Sequence, residues 1–584
     1  MKLLRLFLPC LLCLPWFSRA ADVLKPNVLF IAVDDLKPVL GCYGDKLVKS
    51  PNIDRLAARG VVFERAYCNQ AVCAPSRNSL LTGVRPTTLG IYDLGTNFRR
   101  SSPKAVTLPQ YFIQHGYRAE ALGKIFHVGH GNHEDPASWS VPHFQEKSIA
   151  YVLPASKDGQ PLTREEAFFA NRSPANLPRG AAYESPAVPD TDYPDGRIAN
   201  EAIRRLQGAK AKPNEPFFLA VGFLKPHLPF CSPKKYWDLY DRAAFTVPSL
   251  RTPPEGAPKY APPIWGELRQ YSDMPTTGPV TDEQARTLIH GYHAAVSFMD
   301  AQLGRVLDEL DRLALTSNTI IVLWGDHGWQ LGDHGLWHKH TNYELATRAP
   351  LLISVPKQKT AGQKCQAPVE FVDVYPTLAD LCGLPKPTGL AGSSLKPFIE
   401  NPATPMAKVA ISQYPRNAGQ AGAVMGYSIR DERWRATFWR ERNGSKIVAT
   451  ELYDEQNDPA ETVSLHDRPE HKTLLETLAK NLPAILTEPA PAKASSKKNG
   501  KAAPAKSAAA PAKTADAATA DERGPKFDKL DAAKAGKITR DYYTSHQSDA
   551  KAAGERFDKW DANRDGFLTR QEFVTQGGKY PNAK

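Results

Sequence analysis

Asn27-Val28-Leu29-Phe30-Ile31-Ala32-Val33, followed at once by Asp34-Asp35, is the stretch that decides the fold. A continuous apolar, β-branched run of this length marks a strand buried on both faces. A matching run, Asn318-Thr319-Ile320-Ile321-Val322-Leu323-Trp324, ends in Gly325-Asp326-His327. Two buried strands that both deliver acidic groups at their carboxyl ends predict an open α/β sheet with its site along that edge. Phe217-Phe218-Leu219-Ala220-Val221-Gly222 is another strand candidate, and Asp282 to Leu313 has helical periodicity.

Outward from this core the texture changes twice. From about residue 385, Met425 to Trp439 and Lys446 to Leu452 read as strands of a smaller antiparallel subdomain. Residues 486–522 are rich in Ala, Pro and Lys, which cannot bury a core and predict an extended tether. A weak repeat follows, Phe527-Asp528-Lys529-Leu530-Asp531 and Phe557-Asp558-Lys559-Trp560-Asp561. The second copy opens a loop that matches an EF-hand. Asp561, Asn563, Asp565, the Phe567 carbonyl, Thr569 and Glu572 supply oxygens, and Gly566 makes the turn. The first copy has Ala533, Ala535 and Tyr542 where ligands are needed, so it reads as a half-pair that binds calcium poorly.

The amino terminus reads as a secretory signal over residues 1–20: basic Lys2 and Arg5, an apolar core from Leu6 to Trp16, and Ser18-Arg19-Ala20 at the cleavage site. The apolar run is shorter than the roughly 20 residues a membrane span needs. A secreted or periplasmic protein without stable membrane insertion is expected. Hydrophobic content of 42% with 23% charged residues fits a globular chain, and 584 residues predict two or three domains. The net charge of +12 raises nucleic-acid binding, but no recognition module accompanies it. Residues 491–520 hold six Lys against one Asp, so part of the excess lies in the tether. Beyond the leader there are six cysteines, with neither a disulfide-scaffold pattern nor zinc-site spacing. Cys365 and Cys382 are the candidates for a bridge.

Cys73-Ala74-Pro75-Ser76-Arg77, followed by Leu81-Thr82-Gly83-Val84-Arg85-Pro86, resembles the site at which sulfatases are modified after translation. The resemblance implies oxidation of the Cys73 thiol to formylglycine by a generating enzyme. One hydroxyl of its hydrate attacks sulfur and the other later expels sulfate. Asp34, Asp35, Asp326 and His327 then form a divalent-metal site with the Cys73-derived residue, as in the wider alkaline-phosphatase superfamily. Carboxylate ligands suit calcium, with magnesium as the alternative. His327 is a departure, since many sulfatases carry Asn there. Gly123-Lys124-Ile125-Phe126-His127, Lys225-Pro226-His227 and Trp337-His338-Lys339 are similar, in this order, to the iduronate-2-sulfatase group, from about residue 26 to about 465. Gln413-Tyr414-Pro415-Arg416 and Met425-Gly426-Tyr427-Ser428-Ile429-Arg430 extend the likeness.

That resemblance implies that Arg77 pins the hydrated aldehyde and that Lys124 and Lys339 bind sulfate oxygens. His127 takes a proton at sulfate elimination, and His227 is the general acid; local chemistry also allows the two histidines to exchange roles. Tyr92, Arg99, Arg100, Trp329 and His340 are candidate sugar contacts. The expected fold is an alkaline-phosphatase-like mixed α/β sheet flanked by helices. The expected division is a signal at 1–20, a catalytic domain at 21–384, a C-terminal subdomain at 385–485, a linker at 486–522 and an EF-hand pair at 523–584. The expected activity is hydrolysis of a sulfate ester on a sulfated saccharide. The alternatives are a phosphonate or phosphodiester hydrolase of the same superfamily, or a non-catalytic glycan-binding protein attached through its EF-hand module.

Overall fold

The computed structural model describes residues 25–263, 266–405 and 408–484, and parts of 527–573. The leader at 1–20 and the linker at 486–522 lie outside the described residues. Two compact units are present, residues 1–488 and residues 489–584.

The first unit is built on a seven-stranded mixed sheet. Its strands are β1 (Asn27–Val33), β2 (Val61–Phe63), β3 (Arg118–Gly123), β4 (Phe217–Phe223), β5 (Thr319–Gly325), β6 (Leu351–Ser354) and β7 (Lys364–Cys365), in the order β7-β2-β6-β5-β1-β4-β3. β1 pairs in parallel with β4 and β5, and β6 runs antiparallel to both its neighbours. The side-chain alternation of β1 assigns its two faces. Leu29, Ile31 and Val33 pack in a core with the helices Pro194–Lys210 and Asp282–Arg312. Val28, Phe30 and Ala32 pack in a second core with the helices Cys73–Thr82, Leu108–Gln114 and Val374–Leu381. All six are fully buried, each large apolar side chain contributing roughly 1.5–3 kcal/mol. The long helix Asp282–Arg312 begins at a capping box formed by Thr281 and Gln284.

Register places the acids. Val33 is opposite Gly325, so Asp34 and Asp326 leave neighbouring strands at the same sheet edge, with Asp326 N donating to Val33 O at 3.1 Å.

The C-terminal part of this unit is a four-stranded antiparallel sheet, β8 (Ala410–Asn417), β9 (Ala423–Arg430), β10 (Trp434–Glu441) and β11 (Ile447–Asp454), covered by the helix Lys472–Ala479. β8 is an edge strand that the sequence reading did not assign. Arg435 ties this sheet to the helix Glu344–Thr347, which lies between β5 and β6: with no side-chain exposure, it pairs with Glu344, Glu455 and Glu461. All six described cysteines are free thiols, Cys365 and Cys382 included.

In the second unit the helix Ala550–Trp560 precedes Asp561, and β12 (Lys537–Thr539) pairs antiparallel with β13 (Phe567–Thr569). Ile538 lies opposite Leu568, equivalent positions of the repeat, and both join a cluster with Phe527, Phe557 and Trp560. Asn563, Asp565 and Glu572 lie outside the described residues. Among the described residues no helix is long and apolar enough to cross a membrane.

Candidate active site

Asp34 and Asp35 follow β1 and are each 1% exposed. Asp35 adopts φ 57°, and its N–H donates to Asp326 Oδ1 at 2.9 Å. This left-handed turn points two adjacent carboxylates in different directions. Tyr292, from the long helix, fixes it from behind, donating its hydroxyl to Asp35 O at 2.8 Å.

Cys73 is the first residue of its helix, where backbone N–H groups favour an anion. Its Sγ lies 3.3 Å from His327 Nε2 and 3.8 Å from Lys124 Nζ. Burial pushes the thiol well up despite Lys124 and Lys339. As a thiol it stays protonated, and a thiol is a poor nucleophile.

Arg77, one turn further along, is fully buried. Its Nε pairs with Asp326 Oδ2 and its Nη2 with Asp34 Oδ1, each at 2.9 Å. Its Nη1 donates to the carbonyls of Lys124 and Ile125. The guanidinium thus holds the carboxylates in place, with no hydrogen bond to Cys73 Sγ.

Two lysines divide the paired acids. Lys124 Nζ is 2.5 Å from Asp34 Oδ2, and Lys339 Nζ is 3.0 Å from Asp35 Oδ2. Burial favours a protonated Asp34, but Lys124 and Arg77 outweigh it and hold this carboxyl well below the usual range. For Asp35 burial wins over Lys339, aided by Asp34, Glu267 and Asp326, and its carboxyl rises well above that range.

The donor set fits a divalent cation. Ligand atoms of Asp35, Cys73, Asp326 and His327 all lie within 4.8 Å of one another, and all four residues are buried. Asp34, Asp35 and His227 form a second such group. His327 Nδ1 faces the Gly328 carbonyl at 3.0 Å, which leaves Nε2 facing the cluster as a ligand. Carboxylate oxygens in this number suit calcium or magnesium.

A cavity of about 350 Å³ opens onto this cluster, lined by Cys73, His127, His227, Lys339 and His340, among others. Burial, Lys124 and His130 hold His127 well below the ordinary imidazole range, and its Nδ1 has no hydrogen-bond partner among the described residues. Its Nε2 is 3.2 Å from His130 Nδ1. Burial and Lys339 also push His227 down. Its Nδ1 faces the Leu228 carbonyl, while Nε2 is 3.3 Å from Glu267 Oε1.

Of the candidate sugar contacts, His340 lines the cavity. Arg99 is held by Asp135 through both Nε and Nη2, and Arg100 is exposed. Trp329 is 1% exposed and lies beneath Lys339, 4.9 Å from ring centroid to Nζ. Tyr92 stacks under Arg442. Three site residues escaped the sequence reading: Glu267, His130 and Tyr292. Glu267 and His130 stand in irregular segments without a motif, and Tyr292 looks like any other apolar-face residue of its helix.

A family profile described as sulfatase matches residues 26–384, and one described as N-sulphoglucosamine sulphohydrolase, C-terminal, matches residues 332–488. The chain belongs to the sulfatase family and is a sulfuric ester hydrolase. It is similar to the iduronate 2-sulfatase of Mus musculus, at 37% identity over 79% of this chain and 94% of the mouse protein. It is likewise 36% identical to that of Homo sapiens, over 77% of this chain and 93% of the human protein. In fold it resembles the crystal structure of a phosphonate monoester hydrolase of Agrobacterium radiobacter. That likeness has a TM-score of 0.61 at 22% identity, over 78% of this chain and 94% of the other.

Proposed function

We propose that this enzyme hydrolyses the 2-sulfate ester of a uronate, or a closely related unit, in a sulfated glycosaminoglycan-type saccharide. The observation that carries this reading is the convergence of Cys73, His127, His227 and Lys339 on one cavity over a carboxylate cluster, with Lys124 Nζ 3.8 Å from Cys73 Sγ. The two iduronate 2-sulfatases, matched over almost their whole length, support the uronate substrate.

Asp34, Asp35, Asp326 and His327 would hold calcium, which would supply Lewis-acid stabilisation of negative charge on the sulfate. Conversion of Cys73 to formylglycine supplies a hydrated carbonyl as nucleophile, which the protonated thiol is not. Lys124 and Lys339, each buried, neutralise the sulfuryl oxygens. His227 gives its Nε2 proton to the departing sugar oxygen; a bound sulfate adds the negative charge that favours imidazolium. His127, held neutral by burial, takes up the proton released at turnover. Arg77 holds Asp34 and Asp326 in register through one guanidinium.

We further propose export through the 1–20 leader and one calcium ion in the 561–572 loop. Pairing of Ile538 with Leu568 at equivalent repeat positions supports a two-loop module. Its part in surface or partner attachment is separate from turnover.

The test is hydrolysis of a 2-sulfated uronate disaccharide, a 4-nitrophenyl sulfate and a phosphate diester by formylglycine-bearing enzyme. Preference for the disaccharide supports the proposal. Higher efficiency on the diester points to the phosphonate or phosphodiester alternative, and turnover of nothing to a glycan-binding protein.

A further inference from the structure

Glu267 opens a short helical turn, Glu267–Gln270, in an otherwise irregular segment, and its side chain faces the same cavity. Its two carboxylate oxygens point to different members of the site. Oε2 is 2.7 Å from Lys339 Nζ, a close ion pair, and Oε1 is 3.3 Å from His227 Nε2. The Glu267 side chain is 18% exposed, whereas Lys339 and His227 are each 3% exposed.

We propose that Glu267 is a positioning residue, a carboxylate strut that orients both His227 and Lys339 toward the scissile ester. The proposal rests on the reading of His227 as the acid and Lys339 as a sulfate ligand.

Three features carry it. First, Lys339 has a long, flexible side chain, and its ammonium has two carboxylate partners among the described residues, Asp35 and Glu267. Asp35 belongs to the metal cluster, so Glu267 is the partner that remains dedicated to the lysine. Second, the His227 ring is anchored at Nδ1 by the Leu228 carbonyl, its Nε2 lies 3.3 Å from Glu267 Oε1, and Phe169 packs against it edge-on at 5.7 Å. With one N–H on the Leu228 carbonyl, the proton that the imidazolium can give sits on Nε2, and Glu267 beside it fixes where that atom lies. Third, one carboxylate spanning both groups couples their separation, so the acid and the sulfate anchor keep a set distance. Such a strut raises the fraction of bound substrate in reactive geometry.

A strut for a general acid has a signature that a merely structural residue lacks. A sugar alkoxide needs a proton to depart, whereas 4-nitrophenoxide departs without one. Full-length, formylglycine-bearing Glu267→Gln, nearly isosteric and so least disturbing to folding, is compared with wild type on both sulfate esters, after matching thermal melts. The kcat on the sugar sulfate is expected to fall roughly 10- to 100-fold, the usual cost of losing a partner that orients an active group. The loss on 4-nitrophenyl sulfate should be about tenfold smaller, reflecting Lys339 alone, with KM changing less than kcat. Glu267→Asp, retaining the charge on a shorter arm, should recover part of the sugar-sulfate rate. Equal losses on both esters, or no loss, overturn the proposal. A parallel His227→Ala enzyme separates the two levels. If it shows the leaving-group bias and Glu267→Gln does not, the strut fails and the acid stands; if His227→Ala lacks the bias, the acid assignment fails and takes the strut with it.

Discussion

Arg77 Nε and Asp326 Oδ2 meet at 2.9 Å with neither side chain exposed, and the same guanidinium reaches Asp34 Oδ1 at 2.9 Å. One buried cation therefore joins the carboxyl ends of β1 and β5. A buried pair is expensive to break, because the surviving charge has no solvent to turn to. Arg77→Met should destabilise the first unit by about 3–5 kcal/mol, read by denaturant unfolding. Arg77→Lys, with one ammonium for two carboxylates, should also lower activity without unfolding the protein. A melt unchanged by Arg77→Met removes the structural role given to this residue.

The carboxylate cluster predicts a dependence on calcium. Dialysis against a chelator should abolish turnover and lower the melting temperature, because Arg77, Lys124 and Lys339 alone then offset the repulsion among Asp34, Asp35 and Asp326. Calcium should restore both, with the melt rising as its concentration exceeds the dissociation constant. Full activity after exhaustive chelation contradicts this.

The second compact unit, residues 489–584, is predicted to be dispensable for chemistry. An enzyme ending at residue 488 should hydrolyse a small sulfate ester at the wild-type rate. Loss of turnover in a truncation that melts normally rejects the separation.

Glu455 predicts a pH effect on stability. Burial first, and repulsion from Glu344, push its carboxyl up to about 7, with Arg435 and Arg430 only partly opposing. The folded state thus binds this proton more tightly than the unfolded chain. The stabilisation is complete below the ordinary carboxylate range and is lost as pH rises through about 7. Glu455→Gln has no proton to lose. Its stability difference between about pH 5 and about pH 8 should be smaller than wild type's by on the order of 1–3 kcal/mol. An unchanged pH profile counts against it.

Sequence reading reached the central strands because a buried parallel strand leaves an uninterrupted apolar run, as in Val28 to Val33. It missed β8 because Pro415 and Arg416 break any strand pattern; an edge strand tolerates proline, and only the sheet order shows that β8 is an edge. The clustering of Asp34, Asp35 and Asp326 was legible because these acids sit directly after the strands that deliver them. The sugar contacts were not, since Arg99 and Trp329 have suitable side chains whose tertiary neighbours engage or cover them. Glu267 was invisible for the opposite reason: an isolated acid in an irregular segment acquires meaning only when the fold brings Lys339 and His227 to it.

The formylglycine nucleophile is tested most directly by the mass of the peptide containing Cys73, taken from active enzyme made alongside a formylglycine-generating system. The formylglycine mechanism requires a product that has lost one sulfur and two hydrogens and gained one oxygen, in proportion to turnover, with Cys73→Ala inactive. An unmodified thiol in fully active enzyme contradicts it.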